Sequence, residues 1–290
     1  MKSLALLLVA AAFAQASVLP QTNAYGYLKN SIALGEKLRT REEQFLNQRI
    51  VGGVPATHAQ VPYQAGLIID IIGLEGRGVC GGSLVSANRV ITAAHCWSDG
   101  VHQGWRLTVV LGSTLLFSGG QRIETSVIAM HTNWIPILVR NDVAVIYLPS
   151  NVQFSNTISP VALPSASLLN EDFAGERATA SGFGLTSDGA GISTGQFLSI
   201  VNLNVIRNSV CRASFPLFVH ESNICTSGVG GVGTCQGDSG GPLVVSRDNQ
   251  QILIGITSFG SPLGCESIMP AAYARVTSFI AFFNQHIQSN

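Results

Sequence analysis

The sequence predicts an all-β protein of antiparallel barrel or sandwich type, finished by one C-terminal helix. Short apolar runs recur along the chain and are separated by Gly, Asn, Asp and Pro. Glycine is abundant, with 31 among 290 residues, and charged residues are only 11%, against ~25% in an ordinary soluble domain. Helices with charged outer faces are therefore scarce. The one run at clear helical spacing is Val276, Phe279, Ile280, Phe283 and Ile287, near the end of the chain.

Taken in order, residues 1–16 read as a secretory signal. Lys2 supplies the positive start, residues 4–14 the apolar stretch, and Ala14-Gln15-Ala16 an A-x-A cleavage site. The apolar stretch is far shorter than the ~20 residues needed to span a bilayer. Residues 17–49 read as a removable pro-segment. They carry a charge cluster of Glu36, Lys37, Arg39, Arg41, Glu42 and Glu43, with no cysteine. From Ile50 the text changes to Ile50-Val51-Gly52-Gly53 and then to β-patterned runs. Residues 63–72, 82–85, 89–94, 107–111, 143–148, 199–205, 243–245 and 252–257 are the strand candidates. The terminal helical pattern reads as a helix packing on the core. No internal repeat is found at solenoid periods.

Charge excludes further classes. Sixteen basic residues balance sixteen acidic ones, so no basic stripe is available for nucleic acid. Six cysteines in a secreted chain suggest bridges, and six allow 15 pairings on arithmetic alone. With no C-x-x-C pair, a zinc site has little support, and no metal or other cofactor is expected.

Three short segments carry chemistry. Gly237-Asp238-Ser239-Gly240-Gly241-Pro242 places a serine among glycines, where backbone N–H groups can be aimed at a developing oxyanion. Thr92-Ala93-Ala94-His95-Cys96 ends an apolar run on a histidine. Asn141-Asp142-Val143-Ala144-Val145-Ile146 leads into an apolar strand from an aspartate. Taken singly, His95 fits a structural histidine, Asp142 a strand-end cap, and the serine motif also fits the nucleophile elbow of α/β-hydrolases. Order separates the classes. Elbow enzymes run Ser, acid, His, whereas here the order is His95, Asp142, Ser239, and no long helices alternate with the strands.

With these segments in this order, the chain from Ile50 onward resembles the chymotrypsin-like serine proteases, the trypsin/chymotrypsin fold family. Ser258-Phe259-Gly260-Ser261 and Pro270-Ala271-Ala272-Tyr273-Ala274-Arg275-Val276 are similar to segments of insect, lepidopteran, digestive chymotrypsins. The resemblance implies two six-stranded antiparallel β-barrels within a peptidase domain at 50–290, with the active site between them. It implies Ser239 as nucleophile, His95 as base and Asp142 as its orienter, with an oxyanion hole at the Gly237 and Ser239 N–H groups. Ser258, Phe259 and Gly260 are implied to receive substrate backbone. Gly233, Gly260 and Ala271 are implied to shape a pocket for large apolar side chains. The implied bridges are Cys80–Cys96, Cys211–Cys225 and Cys235–Cys265. Activation is implied at Arg49–Ile50 by a trypsin-like protease, the new Ile50 amine pairing with Asp238.

The expected product is a secreted, extracellular digestive endopeptidase of the gut lumen. It acts as a monomer on protein and peptide substrates and is open to protein protease inhibitors, without nucleic-acid or membrane partners. Elastase-like or collagenase-like specificity, and a non-catalytic homologue, are the alternatives. Two departures from the family pattern stand out. Gly78 replaces a histidine that holds the zymogen acid in some relatives, which leaves the latency of this chain unexplained. No carboxylate follows Leu111-Gly112 until Glu124, so the family's calcium loop is not expected. Nothing covalent ties the cysteine-free pro-segment, which is therefore expected to leave once cut. All three lysines, Lys2, Lys29 and Lys37, lie before Ile50, and a lysine-free mature surface suits alkaline surroundings.

Overall fold

A computed structural model describes residues 22–47, 58–185, 198–261 and 264–287. The first element is a helix, α1 (Tyr27–Asn47). Strands β1 (Gln64–Ile71), β2 (Arg77–Ser86), β3 (Arg89–Thr92), β4 (Gly104–Leu111), β5 (Gln121–Thr125), β6 (Ile128–Met130) and β7 (Ala144–Tyr147) form the first sheet. Its order is β5-β4-β1-β2-β3-β7-β6. Two residues join β5 to β6, although they lie on opposite edges, so one bent segment curls the sheet toward a barrel.

Strands β8 (Arg177–Gly182), β9 (Ser199–Ile206), β10 (Asn223–Thr226), β11 (Pro242–Arg247), β12 (Gln250–Phe259) and β13 (Ala271–Arg275) close into a six-stranded antiparallel barrel. A short helix, α2 (Asn208–Ser214), precedes β10, and α3 (Ile280–Ile287) ends the described chain. The expected pair of six-stranded barrels thus holds in outline, with seven strand segments in the first half because of the β5–β6 bend.

Burial follows from the apolar runs. β1 buries seven of its eight residues because both faces are covered, one by its own barrel and the other by neighbouring segments. Where the two halves meet, Ser181 Oγ donates to Gln64 Oε1 at 2.7 Å, a buried bond across 117 residues. Nearby, the Gly81 N–H donates to the Ser239 carbonyl at 2.7 Å. α3 packs on the first half. Phe283 is fully buried, and the Arg89 Nε–H donates to the His286 carbonyl at 2.9 Å.

The segment expected to be removable is more than a charge cluster, because one face of α1 is docked. Tyr27, Leu28, Ser31, Leu34, Gly35, Leu38 and Glu42 recur at three- and four-residue steps and are buried, while Lys29, Lys37 and Glu43 stay outside. The ion pairs of Arg39 with Glu36 and Glu43 lie on that outer side and contribute little. Most helical stability in a protein comes from packing of one face, so docking on β2 is what holds it. Burying each large apolar side chain is worth ~1.5–3 kcal/mol.

Candidate active site

His95 lies in a single 3₁₀ turn after β3, Ala94–Cys96, and is fully buried. The neighbouring Cys96 is bridged to Cys80 on β2, which pins the turn. Asp142 stands in the loop before β7, after Asn141 at φ 57°. Its Oδ1 accepts the His95 backbone N–H at 2.9 Å, and its Oδ2 lies 2.7 Å from His95 Nδ1. Ser258 Oγ, on β12, donates to the same Oδ2 at 2.6 Å. Three partners satisfy a carboxylate that is only 2% exposed, as a buried charge requires. A proton on Nδ1 shared with that carboxylate leaves the Nε2 lone pair free.

Ser239 lies in the turn between Cys235 and β11 and is 5% exposed. Gly237 has φ 96°, a conformation that a side chain resists. The Cys80–His95–Cys96 cluster cannot serve as a thiolate metal site, because both sulfurs are in the bridge. The remaining bridges are Cys211–Cys225 and Cys235–Cys265.

A cavity of about 250 Å³ lies behind the serine turn, lined in part by Gly233, Cys235, Asp238, Cys265 and Gly184. A Cβ on Gly233 would meet nothing nearer than the Cys265 carbonyl at 3.7 Å, and one on Gly260 nothing within 4 Å. Ala271, at the start of β13, is buried. Gly233 and Asp238 therefore share one cavity, and Ser258 belongs to the Asp142 network. Arg49 and Ile50 lie outside the described residues.

Asp238 is held by backbone alone. Its Oδ1 accepts the Gly184 N–H at 2.9 Å and its Oδ2 the Cys235 N–H at 2.8 Å. Among the described residues no cation pairs with it. Burial pushes its pKa up from 3.8 to about 6, against the lowering effect of those two hydrogen bonds. Because the folded value is the raised one, the stabilisation is complete below about 3.8 and is lost as pH climbs through about 6. Allowing for solvent reaching the cavity, the change is roughly 2 kcal/mol. Denaturant unfolding of the uncut chain should show that the wild type loses this much relative to Asp238→Asn between pH ~4 and ~7. Parallel pH profiles for the two proteins would refute it.

Sequence reasoning missed the residues that cover the site. The Tyr27 ring lies edge-on to the His95 imidazole, centroids 5.0 Å apart at 79°. Its hydroxyl donates to the Val79 carbonyl at 2.9 Å. Burial raises the Tyr27 pKa well above the usual phenol range. Among the described residues no hydrogen bond joins His95 Nε2 to Ser239. Asn23 Oδ1 accepts the Gly260 N–H at 3.1 Å, and Ala24 is buried in a cluster with Phe215 and Phe259. Farther along, Glu42 accepts the Leu116 and Phe117 N–H groups at 2.6 and 2.8 Å, and burial raises its pKa. The signal that could have found this face is the three-and-four spacing from Tyr27 to Glu42.

Two β-barrel halves with a buried His95–Asp142 pair beside a glycine-flanked serine define a serine endopeptidase of the chymotrypsin type. A family model described as Trypsin matches residues 50–283, and the chain belongs to that family. It is 39% identical to "Collagenase" of Hypoderma lineatum over 82% of this chain and 87% of the relative. It is 40% identical to "Brachyurin" of Leptuca pugilator over 80% and 95%, respectively. The solved structure of HL collagenase matches with a TM-score of 0.73 at 36% identity, covering 83% of this chain and all of that one.

Proposed function

We propose that this endopeptidase is secreted as a zymogen for digestion and cleaves proteins after large apolar residues with a Ser239–His95–Asp142 triad. The observation that carries the reading is the buried Asp142–His95 pair, with two hydrogen bonds of 2.9 and 2.7 Å. In this reading Ser239 Oγ attacks the scissile carbonyl while His95 Nε2 takes its proton, then returns it to the leaving amine. Asp142 holds the imidazole in the tautomer that exposes Nε2 and stabilises its protonated form. The N–H groups of Gly237 and Ser239 receive the oxyanion, where one donor is worth ~2.7–4 kcal/mol. Substrate backbone adds as a strand along Ser258–Gly260.

The cavity beside Asp238 would receive the Ile50 amine freed by cutting at Arg49–Ile50, giving a buried acid its missing cation. Apolar specificity rests on Gly233, which offers no carboxylate to a substrate Lys or Arg, and on the open space at Gly260. A broader, collagenase-type specificity is the second reading, favoured by the relatives named collagenase and brachyurin.

The test is activation with trypsin followed by N-terminal sequencing and profiling on a peptide library. The product should begin Ile-Val-Gly-Gly and cleave after Phe, Tyr, Leu and Met, whereas Arg49→Gln should stay latent. A profile led by Arg and Lys would overturn the pocket assignment. One that spreads across residue types at one collagen site would favour the second reading.

A further inference from the structure

We propose that residues 22–47 are a built-in competitive inhibitor of this protease, blocking the catalytic cleft in the uncut chain and still occupying it after the Arg49–Ile50 bond is cut. The proposal rests on the serine-protease reading above.

Five residues place the segment across the catalytic apparatus and the first barrel. Tyr27 stacks edge-on against His95 and hydrogen-bonds to β2. Leu34 lies against Gly237, where a Cβ would fall 2.9 Å from Leu34 Cδ2. Ala24 is buried with Phe259, and Asn23 takes the Gly260 N–H that an extended substrate would need. Glu42 anchors the far end on the Leu116 and Phe117 N–H groups. These contacts span the cleft and one flank of the first barrel.

The segment is held as an inhibitor and not as a substrate. Gly26, at φ 69°, turns the chain just before α1. Its N–H donates to the Asp99 carbonyl at 3.2 Å, and the Leu28 N–H donates to Asp99 Oδ2 at 2.7 Å. The backbone is thus drawn to Asp99 and into a helix, while the Tyr27 ring meets the imidazole of His95. Gly78 makes the seat possible, since a Cβ there would lie 2.5 Å from Ser31 Oγ. The position that lacks the family's zymogen histidine is the one on which α1 rests.

Occupation should outlast the cut because the two sites are separate. None of the residues lining the Asp238 cavity comes from α1, so the Ile50 amine can enter with the helix in place. Disposal is also built in. Lys29 and Lys37 are exposed on the outer face, and the chain from Ile50 onward has no lysine. A trypsin-like activator can therefore degrade the inhibitor at lysines that the mature enzyme lacks.

The test uses enzyme activated from the full chain by immobilised trypsin and freed of its segment by gel filtration, with synthetic peptide 22–47 as the probe. The peptide should raise KM for a chromogenic Phe substrate and leave kcat unchanged. The peptide carrying Tyr27→Ala should bind at least about 30-fold more weakly, the effect of losing a buried aromatic anchor. Fluorescence anisotropy of a labelled peptide should show binding that is lost once Ser239 is blocked by a phosphonate reagent. An active enzyme that ignores the peptide up to about 0.1 mM, or is inhibited equally by the Tyr27→Ala peptide, overturns the proposal. If no serine-reagent labelling and no turnover occur in the peptide-free enzyme, the protease reading fails. Anisotropy of the labelled wild-type peptide against its Tyr27→Ala form, which needs no serine reagent, still decides whether the segment binds beside His95.

Discussion

Replacing Ser239 with alanine is expected to lower kcat of the activated enzyme by on the order of 10⁶, leaving a small residual rate. On the proposed mechanism the whole nucleophilic step depends on the Ser239 oxygen, with His95 and the Gly237 backbone placed to serve it. Such residues act as a unit, so adding a His95 substitution to Ser239→Ala should cost little more. Folding should hardly change. Ser239 contributes its carbonyl to the Gly81 N–H bond through backbone, which alanine keeps. The check is kcat on active-site-titrated wild type against the variant at matched protein concentration, with thermal unfolding as the folding control. A variant retaining more than about a hundredth of wild-type turnover would mean that Ser239 is not the nucleophile.

The Asp142→Asn variant should lose about 10⁴ in kcat while keeping nearly the same shape. Asp142 accepts three hydrogen bonds, from the His95 N–H, from His95 at Nδ1 and from the Ser258 hydroxyl. Asparagine has one acceptor oxygen and one NH₂, so a donor must face a donor at one of these contacts. The least costly relief moves the imidazole proton to Nε2, where it faces Ser239 and cannot accept the serine proton. Removing one partner from a buried pair also costs stability, typically ~3–5 kcal/mol, lessened here because asparagine keeps one acceptor oxygen. Measuring kcat across pH checks the assignment. A variant with a wild-type pH profile and more than a tenth of the activity would reduce Asp142 to a structural role.

Much of the fold was legible because the signals are local. All eight predicted runs coincide with β1, β2, β3, β4, β7, β9, β11 and β12, since alternating or continuous apolar text bounded by turn residues needs no partner to be read. β5, Gln121–Thr125, was missed because it is an edge strand with one buried residue among polar ones. β10 and β13 are four and five residues long and rich in Ala, Asn and Cys, so their membership comes from cross-strand pairing of Asn223 with Ala274 and Cys225 with Ala272. α1 was missed for a different reason. Its stripe from Tyr27 to Glu42 mixes aliphatic residues with Ser, Gly and Glu, so its polarity hides the period until a docking surface is known.

The sequence alone determined what chemistry is available: a serine between glycines, a histidine beside a cysteine, an aspartate opening a strand, their order, and a break in composition at Arg49–Ile50. Tertiary structure decided what each group meets. Asp142 reaches His95 across 47 residues and Ser258 across 116, contacts that no local period encodes. The Asp238 pKa is raised to about 6 by the packing around it, and Tyr27 lies against His95 on a helix that Gly78 lets sit close. Identity and spacing are properties of the chain, whereas burial, protonation and occlusion depend on which surfaces come together when it folds.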